Sequence, residues 1–236
     1  MRKALTSTFS ILASIALFAT LFFTSIEWVA FNENRYASEQ EKYRVAETMG
    51  VSKADLKKIM HELLLYCRGE RADLNMQASV GGQMREIFDE REKAHMVDVQ
   101  RLFVRGFKLR TILIASFLFL VLLLIYTARK RTLRELARGW VATASALGAL
   151  LMALGVYFAV DFDKAWTQFH LVFFSNDLWQ LYENEALIQM LMPLFDGIVR
   201  AAVVTAVAAL AVVTVLAVLI LRRKPKSLPE ADGDGF

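Results

Sequence analysis

The sequence predicts an all-α, polytopic membrane protein: four transmembrane helices with a small helical extracytoplasmic cap. Three observations lead there. Of the 236 residues 56% are hydrophobic and the mean hydropathy is +0.39, above the roughly 45–50% apolar share of soluble domains. Four apolar runs, Leu5 to Phe31, Leu109 to Thr127, Trp140 to Val160 and Ile198 to Leu221, reach the ~20 residues that a crossing needs. Basic residues crowd the short connecting segments, whereas the one long segment is nearly balanced in charge.

Taken in order, residues 1–31 hold the first span. It is longer than the apolar part of a signal peptide and no small-x-small cleavage site follows it, so it is expected to stay as an anchor. Arg2 and Lys3 precede it, Arg129, Lys130, Arg131, Arg134 and Arg138 fill the turn at 128–139, and Arg222, Arg223, Lys224 and Lys226 follow the fourth span in the tail at 222–236. With an even number of spans these three segments share one side, which the distribution of Lys and Arg makes cytoplasmic. Residues 32–108 and 161–197 then lie outside, between the spans at 109–127, 140–160 and 198–221. The net charge of +4 sits on the cytoplasmic flanks, which suits contact with anionic membrane lipid rather than nucleic acid. Ser7, Ser10 and Ser14 on the first span, and Ala144, Gly148 and Gly155 on the third, have the spacing of helix-packing faces. Pro193 precedes the fourth span, whose Arg200 is expected to snorkel outward.

The outer segment at 32–108 is expected to form a helical cap. Ser52 is a candidate N-cap, Leu56, Ile59, Met60, Leu63, Leu64 and Cys67 recur at helical spacing, and Gly69 can end the helix. Cys67 is the one cysteine, so it forms no internal disulfide and reads as a small core residue. His61 lies on the same helix with nothing catalytic around it. A turn at Gly81-Gly82 leads to a charged helix that runs on into the second span. On that helix Glu92, His95 and Asp98 share a face with Val99 and Leu102. A carboxylate one turn from an imidazole can orient it and raise its basicity; a solvated ion pair has the same spacing.

The second outer segment holds Phe169-His170-Leu171-Val172-Phe173-Phe174-Ser175-Asn176-Asp177-Leu178-Trp179, which places a histidine, an amide and a carboxylate among large aromatics. Such a mixture suits a site at a lipid interface, and an aromatic belt would look similar. No G-x-S-x-G elbow, H-E-x-x-H pair or glycine-rich phosphate loop is present. A three-histidine metal site would need His61 from another element, so no metal and no cofactor is expected. His95 and His170 remain as a metal-free acid and base pair.

The tract Glu92-Lys93-Ala94-His95-Met96-Val97-Asp98-Val99, and the tract from Phe169-His170 to Trp179 followed by Leu187-Ile188-Gln189-Met190, resemble the two signature regions of the bacterial lipoprotein intramolecular transacylases, Lit. Leu171 departs from the pattern, standing where an acidic residue is usual after the histidine, and so does Tyr182-Glu183-Asn184-Glu185-Ala186, where a proline and aspartate pattern is commoner. The resemblance implies His95 and His170 as the catalytic pair and a diacylglyceryl lipoprotein as substrate. The sn-2 acyl chain would move to the α-amine of the lipidated N-terminal cysteine, in the cell membrane and on its outer face. Asp98 is the candidate to orient His95, and Asn176, Asp177 and Trp179 are candidate substrate-binding residues, Asn176 at the oxyanion. Which histidine is base and which is acid is open. A non-enzymatic helper or sensor with a partner-binding cap, or an acyltransferase that takes its chain from a separate phospholipid, would share this topology.

Overall fold

The computed structural model describes residues 2–223; Lys224 and Lys226 of the basic tail lie outside the described residues. Three helical stretches are long and apolar enough to cross a membrane, Arg2–Ala30, Glu90–Val160 and Ala186–Arg222. The first is the single helix α1 (Arg2–Ala30), and the second comprises α5 (Glu90–Ala128) and α6 (Thr132–Val160), joined by the 3₁₀ turn Arg129–Arg131. In the third, the short helix α8 (Ala186–Leu191) leads through the turn Met192–Leu194, which contains Pro193, into α9 (Phe195–Arg222). α1 is central, packing on α5, α6 and α9, while α6 also meets α9.

Contacts between these helices follow from small and hydroxylated side chains. Ser10 and Ser14 of α1 are buried, Ser14 donates to the Ser10 carbonyl at 2.8 Å, and Ser10 donates to the Glu135 carbonyl of α6. The close approach on α6 is at Gly139, where a Cβ would lie 2.7 Å from the Ser10 carbonyl oxygen. Of the expected packing faces Ser10, Ser14 and Ala144 do pack, whereas at Gly148 and Gly155 a Cβ would meet nothing within 4 Å and Ser7 is exposed. Spacing alone marks where two backbones can approach, and the partner's position decides where they do. Near the other end of α1, Glu27 pairs with Arg110 of α5. Arg200 of α9 is exposed.

Between α1 and α5 the chain forms α2 (Glu33–Lys42), α3 (Val45–Met49), α4 (Lys53–Arg68) and an antiparallel hairpin, β1 (Gln77–Val80) and β2 (Gln83–Glu86). α4 is the expected helix. The Ser52 hydroxyl accepts from the Asp55 N–H at its start, and Gly69 ends it at φ 79°. The hairpin is a departure from a purely helical cap, since Gly81 and Gly82, at φ 60° and 86°, close a two-residue turn that only residues tolerant of positive φ adopt readily. Leu56, Ile59, Met60, Leu63, Leu64 and Cys67 of α4 bury their apolar stripe against Phe88, Met96, Leu187, Met190 and Leu194.

The segment after α6 is not the plain loop expected from its composition. Phe162–Phe173 forms α7, whose start is capped by Asp161 accepting from the Lys164 N–H at 3.1 Å. His170 sits in its last turn. Leu187 and Met190 of α8 then enter the same core as α4 and Met96 of α5, so the segment after His170 is anchored to the helix that carries His95.

Candidate active site

α5 begins with a capping box: the Asp89 carboxylate accepts from the Glu92 N–H, and the Glu92 carboxylate accepts from the Asp89 N–H, each at 2.8 Å. Glu92 is 2% exposed, and its other oxygen accepts from the Leu187 N–H at 2.7 Å, tying α5 to α8. Burial raises its pKa, opposed by those two N–H groups. Glu92 is thus a fastening between helices; sharing a face with His95 does not make it that histidine's partner.

One turn on, His95 faces His170 across an apolar cavity of about 590 Å³. Their ring centres are 6.3 Å apart at 37°, with Phe174 5.4 Å from the first and 5.6 Å from the second. Both rings are buried, and the cavity is walled by α4 side chains including Met60, Leu64 and Cys67, and by Trp166, Phe169 and Trp179. The structure therefore brings together the two histidines singled out by their tracts. His61 stays outside, exposed and 2.9 Å from Glu33.

The two imidazoles are held differently. His170 Nδ1 lies 2.8 Å from the Trp166 carbonyl, which can only accept, so that nitrogen carries the proton and Nε2 keeps its lone pair. Trp166 meets the ring at 4.4 Å and 62°, and Trp179 stacks on it at 4.6 Å and 25°. Among the described residues His95 Nδ1 is buried without a hydrogen-bond partner. Burial and then the neighbouring His170 bring the His95 pKa down to about 4, against an upward pull from Asp98. Burial also lowers that of His170, opposed by the Trp166 carbonyl. Burial in this apolar wall thus favours the neutral form of both rings.

Asp98 does not bond to His95. One carboxylate oxygen accepts from Arg101 at 3.1 Å and the other from the Asn176 amide at 2.8 Å. Asn176 Oδ1 in turn accepts from the Leu178 N–H at 3.1 Å, so its side chain is engaged away from the cavity. The Asp177 carbonyl accepts from Arg91 at 2.7 Å while its carboxylate is largely exposed, 4.0 Å from Arg91. Of the three residues expected to bind substrate, only Trp179 lines the cavity; Asn176 and Asp177 brace the segment that carries it. Leu171 is exposed and outside the cavity wall. Cys67 does line it, with its thiol pKa pushed up to about 12 by burial, an inert wall residue rather than a nucleophile. Sequence reasoning passed over Trp166 and Arg91; the one signal for them was spacing, four residues before each histidine on the same helix face.

Comparison with known proteins bears on this arrangement at two levels. Three solved chains share the fold over most of their length, all described as the membrane integral lipoprotein intramolecular transacylase Lit from Bacillus cereus. One aligns with a TM-score of 0.69 at 16% identity, covering 93% of this chain and 95% of that one. Another, in which alanine replaces a histidine, aligns with a TM-score of 0.68 at 16% identity over 93% of each chain. A search of curated proteins found no match. At such identity the solved structures establish the fold, and the sequence itself carries the family: the profile described as "Lipoprotein intramolecular transacylase Lit" matches residues 11–195. With that match spanning both histidine tracts, the chain belongs to the Lit family of lipoprotein transacylases, acyltransferases of the membrane-integral, multi-pass kind.

Proposed function

We propose that this protein moves the sn-2 acyl chain of a diacylglyceryl lipoprotein to the α-amine of its N-terminal cysteine, with His170 as the base and His95 beside it. The observation that carries the reading is the fixed His170 tautomer, Nδ1–H to the Trp166 carbonyl, next to a second neutral imidazole in an apolar cavity. A basic Nε2 is what the attacking amine needs.

The α-amine has a reference pKa of about 7.7–8.0 and must be neutral to attack. An apolar wall penalises the ammonium and shifts it toward that neutral form. Its nitrogen then bonds to the ester carbonyl carbon as His170 Nε2 takes its proton. When the bond from that carbon to the glyceryl oxygen breaks, the oxygen takes up the proton, so no net proton is gained or lost. His95 shares the cavity wall, its ring centre 6.3 Å from that of His170, and in its neutral form places no charge against the transient imidazolium. Because amine and ester belong to one molecule, holding them close is most of the task; well-oriented intramolecular pairs reach effective molarities of about 10⁵ M or more. Asp98 supports the site through Asn176 and the segment leading to Trp179. Four spans, α1, α5, α6 and α9, with the histidines in the outer leaflet region, agree with the apolar runs and with the basic turn at the far end of α5.

The reaction is an isomerisation, which separates it from its rivals. Purified protein mixed with diacylglyceryl lipopeptide, without added phospholipid, should leave the lipopeptide mass unchanged while making one acyl chain resistant to mild alkali. Transfer from a separate phospholipid would add the mass of one chain, and a helper protein would change nothing. His95→Ala and His170→Ala should each reduce the rate by roughly 10²-fold or more, and the double variant should be no worse than either, because residues acting as one unit are non-additive. Near-full activity in either single variant would sink the two-histidine reaction.

A further inference from the structure

We propose that the indole face of Trp179 is a catalytic element, stabilising the imidazolium formed when His170 takes the amine proton. This rests on the reading of His170 as base and assigns what balances its charge.

An imidazolium in an apolar cavity needs a partner. In serine hydrolases a buried carboxylate does this. Here the carboxylate on the facing helix, Asp98, is bonded to Arg101 and Asn176, and the only hydrogen-bond partner of His170 among the described residues is the Trp166 carbonyl. Two indoles lie against the ring: Trp166 meets it at an angle, with centres 4.4 Å apart at 62°, and only Trp179 of the two is stacked on it, with centres 4.6 Å apart at 25°. Indole presents the strongest aromatic quadrupole to a cation, within a range of about 6 Å. The attraction is small for neutral imidazole and grows when the ring takes up its proton, so it favours the state that occurs during the reaction.

The setting of Trp179 points to its face rather than its N–H. Its Nε1 is buried with no hydrogen-bond partner among the described residues, whereas buried indole N–H groups usually find one. The segment that carries it is held at two points, Asn176 to Asp98 and the Asp177 carbonyl to Arg91. Arg91 and Asp98 lie on α5 to either side of His95, at the spacing of one helix face. The helix that presents one histidine therefore positions the aromatic plate over the other, and Arg91 and Asp98 are positioning residues acting through Trp179.

The test uses the full chain in detergent micelles or nanodiscs, with Trp179→Phe and Trp179→Leu. Histidine titration is followed by NMR, with kcat and KM measured on diacylglyceryl lipopeptide. Trp179→Leu should lower the His170 pKa by about 1 and kcat by about tenfold, and any rise in KM reports separately its place in the cavity wall. Trp179→Phe, with a weaker quadrupole but the same stacking shape, should fall between Leu and wild type in both readouts. A His95 pKa that stays near its wild-type value reports that the cavity has kept its form. The inference is overturned if the His170 titration is unchanged in Trp179→Leu whatever the activity, or if Trp179→Phe loses as much as Trp179→Leu, which would assign the effect to the N–H. Failure of the two-histidine reading shows separately, as activity retained by His170→Ala.

Discussion

The long helices and the region of α2–α4 follow different rules with the same residue types. On the long helices many large aliphatics point outward, as Leu122 does at 64% exposure, and Ser14 and Thr143 are buried alongside a few large side chains, Phe18, Leu124 and Trp140. In the region of α2–α4 Leu63 is 2% exposed, Lys57 and Lys58 of the same helix are exposed, and the core is built mainly from large apolar side chains. Against lipid there is no hydrophobic drive to bury leucine, so close backbone contact decides packing; against water, burial of apolar surface does. α5 passes from one rule to the other. His95 stands near the N-terminal end of α5 and faces His170 where the two regimes meet, in an apolar cavity beside side chains fixed by hydrogen bonds.

That contrast breaks most visibly if two leucines are shortened. Leu63→Ala removes a buried side chain from the core around α4 and should cost about 2–5 kcal/mol. Leu122→Ala trims a side chain that faces outward on a long helix and should change stability by no more than about 0.5 kcal/mol. Thermal unfolding of the two variants in one lipid-like environment measures the difference. Equal losses would mean that the long helices depend on their outward side chains for packing, as the core around α4 depends on its inward ones.

A smaller effect is expected in the pH dependence of stability. The His95 pKa lies near 4 in the folded cavity, below its ordinary value of about 6.5. As pH falls below about 6.5 the unfolded chain takes up a proton that the folded chain refuses, so this group's contribution to stability is present above that pH. It is lost progressively as pH drops toward about 4, and the dependence flattens below. His95→Gln should remove that part of the slope. His170→Ala should move the His95 pKa upward, since the neighbouring ring is one of the two causes that depress it. A slope unchanged in His95→Gln would place the acid sensitivity elsewhere.

What could be read from the sequence was local. The helix at 53–68 with its caps, the Gly81-Gly82 turn and the apolar runs all follow from residues within a few positions of one another. The site was half legible. His95 and His170 stood out because few other groups could do the chemistry, yet the partners of Glu92 and Asp98 were misjudged. Three-and-four spacing puts both carboxylates on the face of His95, but their bonds go to Leu187 and Asn176, far along the chain. The α7 helix was hidden for a similar reason: its aromatic-rich sequence satisfies a belt and a helix equally, and packing of Trp166 and His170 into the cavity selects the helix. Gly139 escaped notice because a lone glycine gains meaning only from Ser10 on another helix.

The smallest effect belongs to His61, and it sharpens the contrast from the watery side. This histidine lies on α4, the same helix whose other face walls the cavity with Met60, Leu64 and Cys67, yet its ring points to solvent and pairs with Glu33 at 2.9 Å. The side chains of that pair are about half exposed, 47% and 46%, and such pairs contribute roughly 0–1 kcal/mol because water screens them and ordering them costs side-chain entropy. His61→Ala should therefore shift stability by less than about 1 kcal/mol and leave both kcat and KM on diacylglyceryl lipopeptide at wild-type values. Met60→Ala, one residue away but facing inward, should raise KM by removing part of the cavity wall. If His61→Ala instead lowered kcat, the chemistry would reach beyond the cavity to the outer face of α4, and the division between a wet face and a catalytic face on that helix would have to be given up.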